Sequence, residues 1–145
     1  MNEKLKNGFI LMSLCVCTGI MFSACSKTGV APETVTVAIV RYQKITATEA
    51  KEMMDSGRPF VLLDVRTEPE YLARRIDGSL LIPDYAIRER AAAELPDKSA
   101  LILIYCRSGR RSASAANELI RMGYTDVYDF GGIIEWPFDT VSGSN

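Results

Sequence analysis

Histidine is absent from all 145 residues of this chain. That absence excludes Ser-His-Asp and Cys-His catalysis, zinc sites built on histidine, and imidazole proton shuttles. A surplus of one charge is also missing: 17 basic residues face 18 acidic ones, for a net charge of -1. This gives no sign of a nucleic-acid-binding face or of a polybasic membrane patch. The domain holds no internal repeat and no low-complexity stretch. Cysteine is scarce, and three of the four, Cys15, Cys17 and Cys25, fall near the N-terminus. What is present is apolar residue, 48% of the chain, which suits one packed domain of ordinary size.

The first residues read as an address rather than as part of the fold. Lys4 and Lys6 precede an apolar run from Gly8 to Phe22, which is short for a membrane-spanning helix of roughly 20 residues. A positive start, an apolar run and a small-residue boundary describe an export signal. The run ends in Phe22-Ser23-Ala24-Cys25, which resembles the bacterial lipobox, although Phe22 stands where leucine is usual. An ordinary signal peptide or an uncleaved anchor are the plainer readings. The resemblance implies that residues 1–24 are removed and that Cys25 receives lipid. Residues 25–36 then form a polar tether containing Gly29 and Pro32, and residues 37–145 form the domain. Cys106 is left as the only unmodified thiol, with no internal disulfide to form.

Along the domain, the β-branched stretch 35–42 predicts an opening strand. Thr46 and Glu49 are spaced as a capping box ahead of Ala50, Met53 and Met54, and Gly57 supplies the stop. Phe60–Asp64 predicts a strand covered on both faces, Glu68–Ala73 a short helix with Pro69 in its first turn, and Ser79–Ile82 a third strand. A helix is expected over Ile87–Leu95, a strongly apolar strand over Leu101–Tyr105, and a helix over Ser112–Met122. Val127–Phe130 predicts a last strand, followed by Gly131-Gly132 and a helical turn through Trp136. Strands alternating with helices argue an α/β fold with a parallel sheet and helices on both faces.

Ligands of open α/β sheets bind beyond the carboxyl ends of strands, where helices begin. Cys106 sits at that junction, in the run Tyr105-Cys106-Arg107-Ser108-Gly109-Arg110-Arg111-Ser112. A compact loop with glycine can turn backbone N–H groups inward, and the following helix adds its positive end. Arg107, Arg110 and Arg111 crowd the same loop, and no acidic residue occurs between Asp97 and Glu118. Such a field stabilises a thiolate without histidine and attracts an anion. The alternative, a structural cysteine among solvated arginines, leaves the glycine and the strand-to-helix position unexplained.

Over about residues 45–138 the sequence resembles the rhodanese-like family of single-domain thiosulfate sulfurtransferases. The resemblance rests on Asp64-Val65-Arg66 with Glu70-Tyr71, Ile76 with Gly78, Leu81-Ile82-Pro83, the loop from Cys106, and Gly131-Gly132 with Trp136. It implies a rhodanese-like fold with a central, mostly parallel five-stranded sheet. It further implies a Cys106 nucleophile that carries sulfur as a persulfide. The loop residues Arg107, Ser108, Gly109, Arg110, Arg111 and Ser112 would bind the donor, with no cofactor and no metal. Implied partners are a small anionic sulfur donor, a thiophilic small-molecule or protein acceptor, and the membrane through a lipid anchor. Nucleic acid is not among them, and a monomer is expected.

Asp64 and Arg66 are expected to support the site as an ion pair, and Glu70 and Tyr71 to be surface and packing residues. Gly131 and Gly132 are expected to permit a turn, and Trp136 to lie in the core or cleft wall. Arg75 stands where many members carry histidine. Phosphatases and arsenate reductases of the same fold place arginine six positions after cysteine, where this chain has Ser112; Arg111 is five after. The shorter loop favours sulfur over a phosphoryl group. A persulfide carrier without turnover, or a binding module, is the remaining alternative.

Overall fold

The computed structural model describes residues 41–143. The expected signal segment, the tether with Cys25, and residues 35–40 of the expected opening strand lie outside the described residues. Five strands form one sheet in the order β1-β5-β4-β2-β3: β1 Gln43–Lys44, β2 Phe60–Asp64, β3 Leu80–Leu81, β4 Leu101–Cys106 and β5 Val127–Gly132. Every pairing between them is parallel. The helices are α1 Ala47–Asp55, α2 Glu68–Ala73, α3 Ile87–Glu94 and α4 Arg110–Arg121. Among the described residues no helix is long and apolar enough to cross a membrane.

Strand β4 is the centre of the domain because all six of its residues are buried. Its side chains alternate between two cores, as the period of two requires. Ile102, Ile104 and Cys106 join Ala91 and Leu95 of the α3 side and Ala115, Ala116 and Leu119 of α4. Leu101, Leu103 and Tyr105 face Ala50 of α1, Phe130, Ile133 and Trp136. Fully burying each leucine or isoleucine contributes roughly 1.5–3 kcal/mol, so this strand and its neighbours supply most of the driving force.

Helix boundaries follow local chemistry. Thr46 and Glu49 form the expected capping box at α1, and Thr67 with Glu70 forms a second one at α2. The Tyr124 hydroxyl lies 2.9 and 2.8 Å from the carbonyls of Ala91 and Leu95, where α3 runs out of intrahelical donors. Several boundaries differ from expectation, and β5 runs two residues further than expected, to Gly132. The opening strand is Gln43–Lys44, while Arg41 and Tyr42 are not extended in the sheet; pairing with Tyr128 and Asp129 of β5 selects these polar residues. Strand β3 is limited to Leu80–Leu81, opposite Leu63 and Asp64. Helix α4 begins at Arg110, two residues earlier than expected, because Gly109 takes a positive φ of 94° and turns the chain directly into the helix.

The C-terminal segment closes the domain across α2. Arg75 and Val141 exchange backbone hydrogen bonds of 2.8 Å each, and the Gly143 N–H donates to the Leu72 carbonyl at 2.8 Å. Arg75 is buried, with its guanidinium 4.8 Å from the Tyr71 ring centroid. Arg75 is therefore part of this closure.

Candidate active site

Cys106 is the last residue of β4, and its side chain is 1% exposed. The loop after it curls back over the sulfur, so that the Gly109 N–H donates to Sγ at 3.1 Å. Gly109 can do this because its left-handed backbone conformation costs glycine little. The twelve-residue helix α4 starts at the next residue and adds its positive end to the same point.

Burial works against ionisation of this thiol. Hydrogen bonds from the Ser112 hydroxyl and from the N–H groups of Ser112, Ser108 and Gly109 outweigh it, and the thiol lies below its ordinary value. The Ser112 hydroxyl also lies 3.0 and 3.3 Å from the carbonyls of Gly109 and Gly131. A lowered folded-state pKa means that thiolate persists to lower pH than in a free cysteine, near 8.5. Ser112→Ala should therefore move the pH inflection of Cys106 alkylation upward and slow alkylation at neutral pH by about three- to tenfold, the change expected for a shift of half to one unit. An unmoved inflection would show that the backbone N–H groups suffice.

The loop is held from the side by β5. A Cβ at Gly132 would stand 2.6 Å from the Ser108 Cα and against the Arg107 carbonyl. Gly132 thus lets the Cys106 loop approach β5 closely, a role beyond the turn expected from sequence. Gly131, expected in a turn after the strand, instead lies within β5 where the register to β4 shifts; its φ is 90°, and its N–H is fixed by the Asp129 carboxylate at 3.0 Å. The Ile134 N–H donates to the Arg107 carbonyl at 3.3 Å and completes this wall. A cleft of about 480 Å³ opens beside the loop, lined by Lys44, Thr46, Ser108, Gly109, Gly131 and Gly132 among others.

Below the loop, Asp64 and Arg66 form a buried fork. Arg66 Nε donates to both carboxylate oxygens at 2.9 and 3.0 Å, and Nη2 donates at 2.5 Å. The Arg66 Nη2 also reaches the Arg74 carbonyl at the end of α2, at 2.6 Å. Tyr105, the residue before Cys106, has its hydroxyl 3.2 Å from both the Ile76 N–H and the Ser79 hydroxyl. Burial and the Asp64 charge push that hydroxyl well above its ordinary value, so it stays protonated. These bonds join the end of β4 to the β2–α2–β3 connection.

The three loop arginines are not equivalent. Arg107 and Arg110 are exposed, and among the described residues neither side chain has a hydrogen-bond or salt-bridge partner. Arg111 is half-buried and forked to Glu70 of α2, Nη1 to Oε2 at 2.9 Å and Nη2 to Oε1 at 2.8 Å. Glu70, expected at the surface, is therefore brought to the loop across the fold. Hydrogen bonding to Arg111 holds its carboxyl at about 2, well below the usual carboxylate range. Trp136 is buried against Phe130 and Phe138, with ring centroids 5.5 and 5.0 Å away.

Comparison with known proteins agrees with this fold. Residues 46–137 match the family model described as a rhodanese-like domain. The chain is 36% identical over 81 residues to thiosulfate sulfurtransferase PspE of Escherichia coli, covering 56% of this chain and 78% of that one. It is 31% identical over 107 residues to thiosulfate sulfurtransferase GlpE of Pseudomonas aeruginosa, covering 70% of this chain and 94% of that one. Among solved structures, a rhodanese with anions from E. coli superposes with a TM-score of 0.56 at 34% identity, over 59% of this chain and 100% of that one. With its five-stranded parallel sheet and the Cys106 loop at the end of β4, the chain belongs to the rhodanese-like domain family and is a sulfurtransferase of that kind.

Proposed function

We propose that the protein moves sulfane sulfur from thiosulfate, or a similar small anionic donor, to a thiophilic acceptor through a persulfide on Cys106. The Cys106 thiolate attacks the outer sulfur of thiosulfate. A Cys–S bond forms, the S–S bond of the donor breaks, and sulfite leaves with the electron pair. A nucleophilic acceptor then attacks the terminal sulfur of the persulfide and returns Cys106 as thiolate. The donor lies against the loop N–H groups from Arg107 to Ser112, and Arg107 and Arg110 attract its charge.

The observation that carries this reading is the sulfur of Cys106 held by the Gly109 N–H at 3.1 Å at the start of α4. It supports a stabilised thiolate without any histidine. The names of PspE and GlpE support thiosulfate as donor. The test is thiocyanate formation from thiosulfate and cyanide, with intact mass after thiosulfate alone to show one added sulfur atom. No thiocyanate, with phosphate released from an aryl phosphate instead, would overturn it.

The protein acts at the cell envelope, exported and held by lipid on Cys25. The basic residues, apolar run and cysteine at its end support this placement. Metabolic labelling with a fatty acid should be lost in Cys25→Ala; labelling that persists would sink the anchor.

A further inference from the structure

We propose that Glu70 is a positioning residue for the nucleophile: it fixes Arg111 in the wall of the Cys106 loop and withdraws it from donor binding. The inference rests on the sulfurtransferase reading for its kinetic meaning, but its geometry stands alone. The Glu70 carboxylate is itself fixed. Its Oε2 accepts from the Thr67 N–H at 3.0 Å and the Thr67 hydroxyl at 2.9 Å, as the third residue of a capping box. One carboxylate thus joins the start of α2 to the first turn of α4. Arg111 contributes its planar fork, which matches a carboxylate in two-point geometry and loses little freedom per bond. The pair is sheltered, with side-chain exposures of 19% for Arg111 and 29% for Glu70.

The arrangement divides the labour of three arginines that look alike in sequence. Arg107 and Arg110 are exposed and can swing toward a donor. Arg111 is held still in the loop that begins at Cys106, and its hydrogen bonding to Glu70, with smaller contributions from the Cys106 and Asp84 charges, favours its protonated form. Its field at the sulfur is therefore constant, while its charge toward an incoming anion is offset by Glu70. The charged groups facing Arg111 are Glu70 from α2, Asp84 from the turn after β3, and Cys106 itself. Glu70 stays ionised through the whole range in which Cys106 titrates, so the pair does not switch off as the thiol ionises.

The sign of one shift separates positioning from mere counter-charge. If Glu70 only offset charge, its neutralisation would deepen the positive field and move the Cys106 inflection down in pH. If it positions Arg111, neutralisation releases the guanidinium and moves the inflection up. Glu70→Gln is the suitable variant, because glutamine still serves at the third position of a capping box but offers no charged fork. Iodoacetamide alkylation of the full chain would be followed against pH at the Cys106 peptide by mass spectrometry, with thermal unfolding of each variant alongside.

Glu70→Gln and Arg111→Gln should both shift the inflection upward and slow alkylation at neutral pH by about fivefold or more, as a change of most of one pKa unit implies. The double variant should react no more slowly than Arg111→Gln alone. With thiosulfate, Glu70→Gln should lower kcat with little change in KM, whereas Arg110→Gln should raise KM. A downward or absent shift in Glu70→Gln, or effects that multiply in the double variant, would overturn the inference. Failure of the wild-type chain to take sulfur from thiosulfate would instead overturn the sulfurtransferase reading and leave the alkylation result standing.

Discussion

Cys106→Ser should lower thiosulfate-dependent sulfur transfer by at least about a thousandfold, as the proposed Cys106 persulfide requires, while the fold melts close to the wild-type temperature. The argument is one of ionisation rather than shape. Serine fills nearly the same volume at a site that is 1% exposed, and the Gly109 N–H still finds an acceptor there. A hydroxyl, however, ionises many units above a thiol, and the N–H groups of this loop can offset only a few units. With no histidine in the chain, no imidazole stands ready to remove the proton. Cys106 is the only cysteine among the described residues, so no neighbour there can take its place. Thiocyanate release measures the loss, and intact mass after thiosulfate should show no added sulfur. A variant that keeps more than a few per cent of wild-type turnover would mean that the sulfur does not pass through Cys106.

The parts of the site written in consecutive residues were legible before the structure. The apolar run of β4, the glycine three residues after Cys106 and the capping box at Thr46 each act through neighbours in sequence, where spacing is a physical constraint. The start of α4 was less legible, because Gly109 replaces a side-chain cap with a backbone conformation and leaves no Ser or Asp to mark the boundary. Strand β1 was displaced for another reason: Gln43 and Lys44 have weak strand preference, and their place is set by β5. Two roles could not be read at all. Glu70 lies 41 residues from Arg111, and only the fold brings them together. The steric demand on Gly132 exists only because Arg107 and Ser108 press against it. A charge run read as uniform in sequence thus divides into two exposed arginines and one that is tied.

Arg66→Met should cost about 3–5 kcal/mol of stability, the penalty for leaving a buried charge without its partner. For a domain of this size the melting temperature should then fall by more than about ten degrees. Asp64 is 0% exposed at the end of β2, between β3 and β4, where water cannot replace the guanidinium. Its carboxylate would keep one donor, the Arg66 backbone N–H at 2.9 Å, and lose the rest. The same change releases the Arg74 carbonyl at the end of α2 and so loosens the helix that carries Glu70. Adding Asp64→Asn separates these effects. Asparagine removes the charge but keeps an oxygen for the Arg66 N–H, so the double variant should regain much of the lost stability. It should not regain the anchor on α2, and Cys106 alkylation at neutral pH should remain slower than in wild type. A double variant that melts no higher than Arg66→Met would place the cost in lost packing around Tyr105, whose ring centroid lies 5.5 Å from the guanidinium, rather than in an orphaned carboxylate.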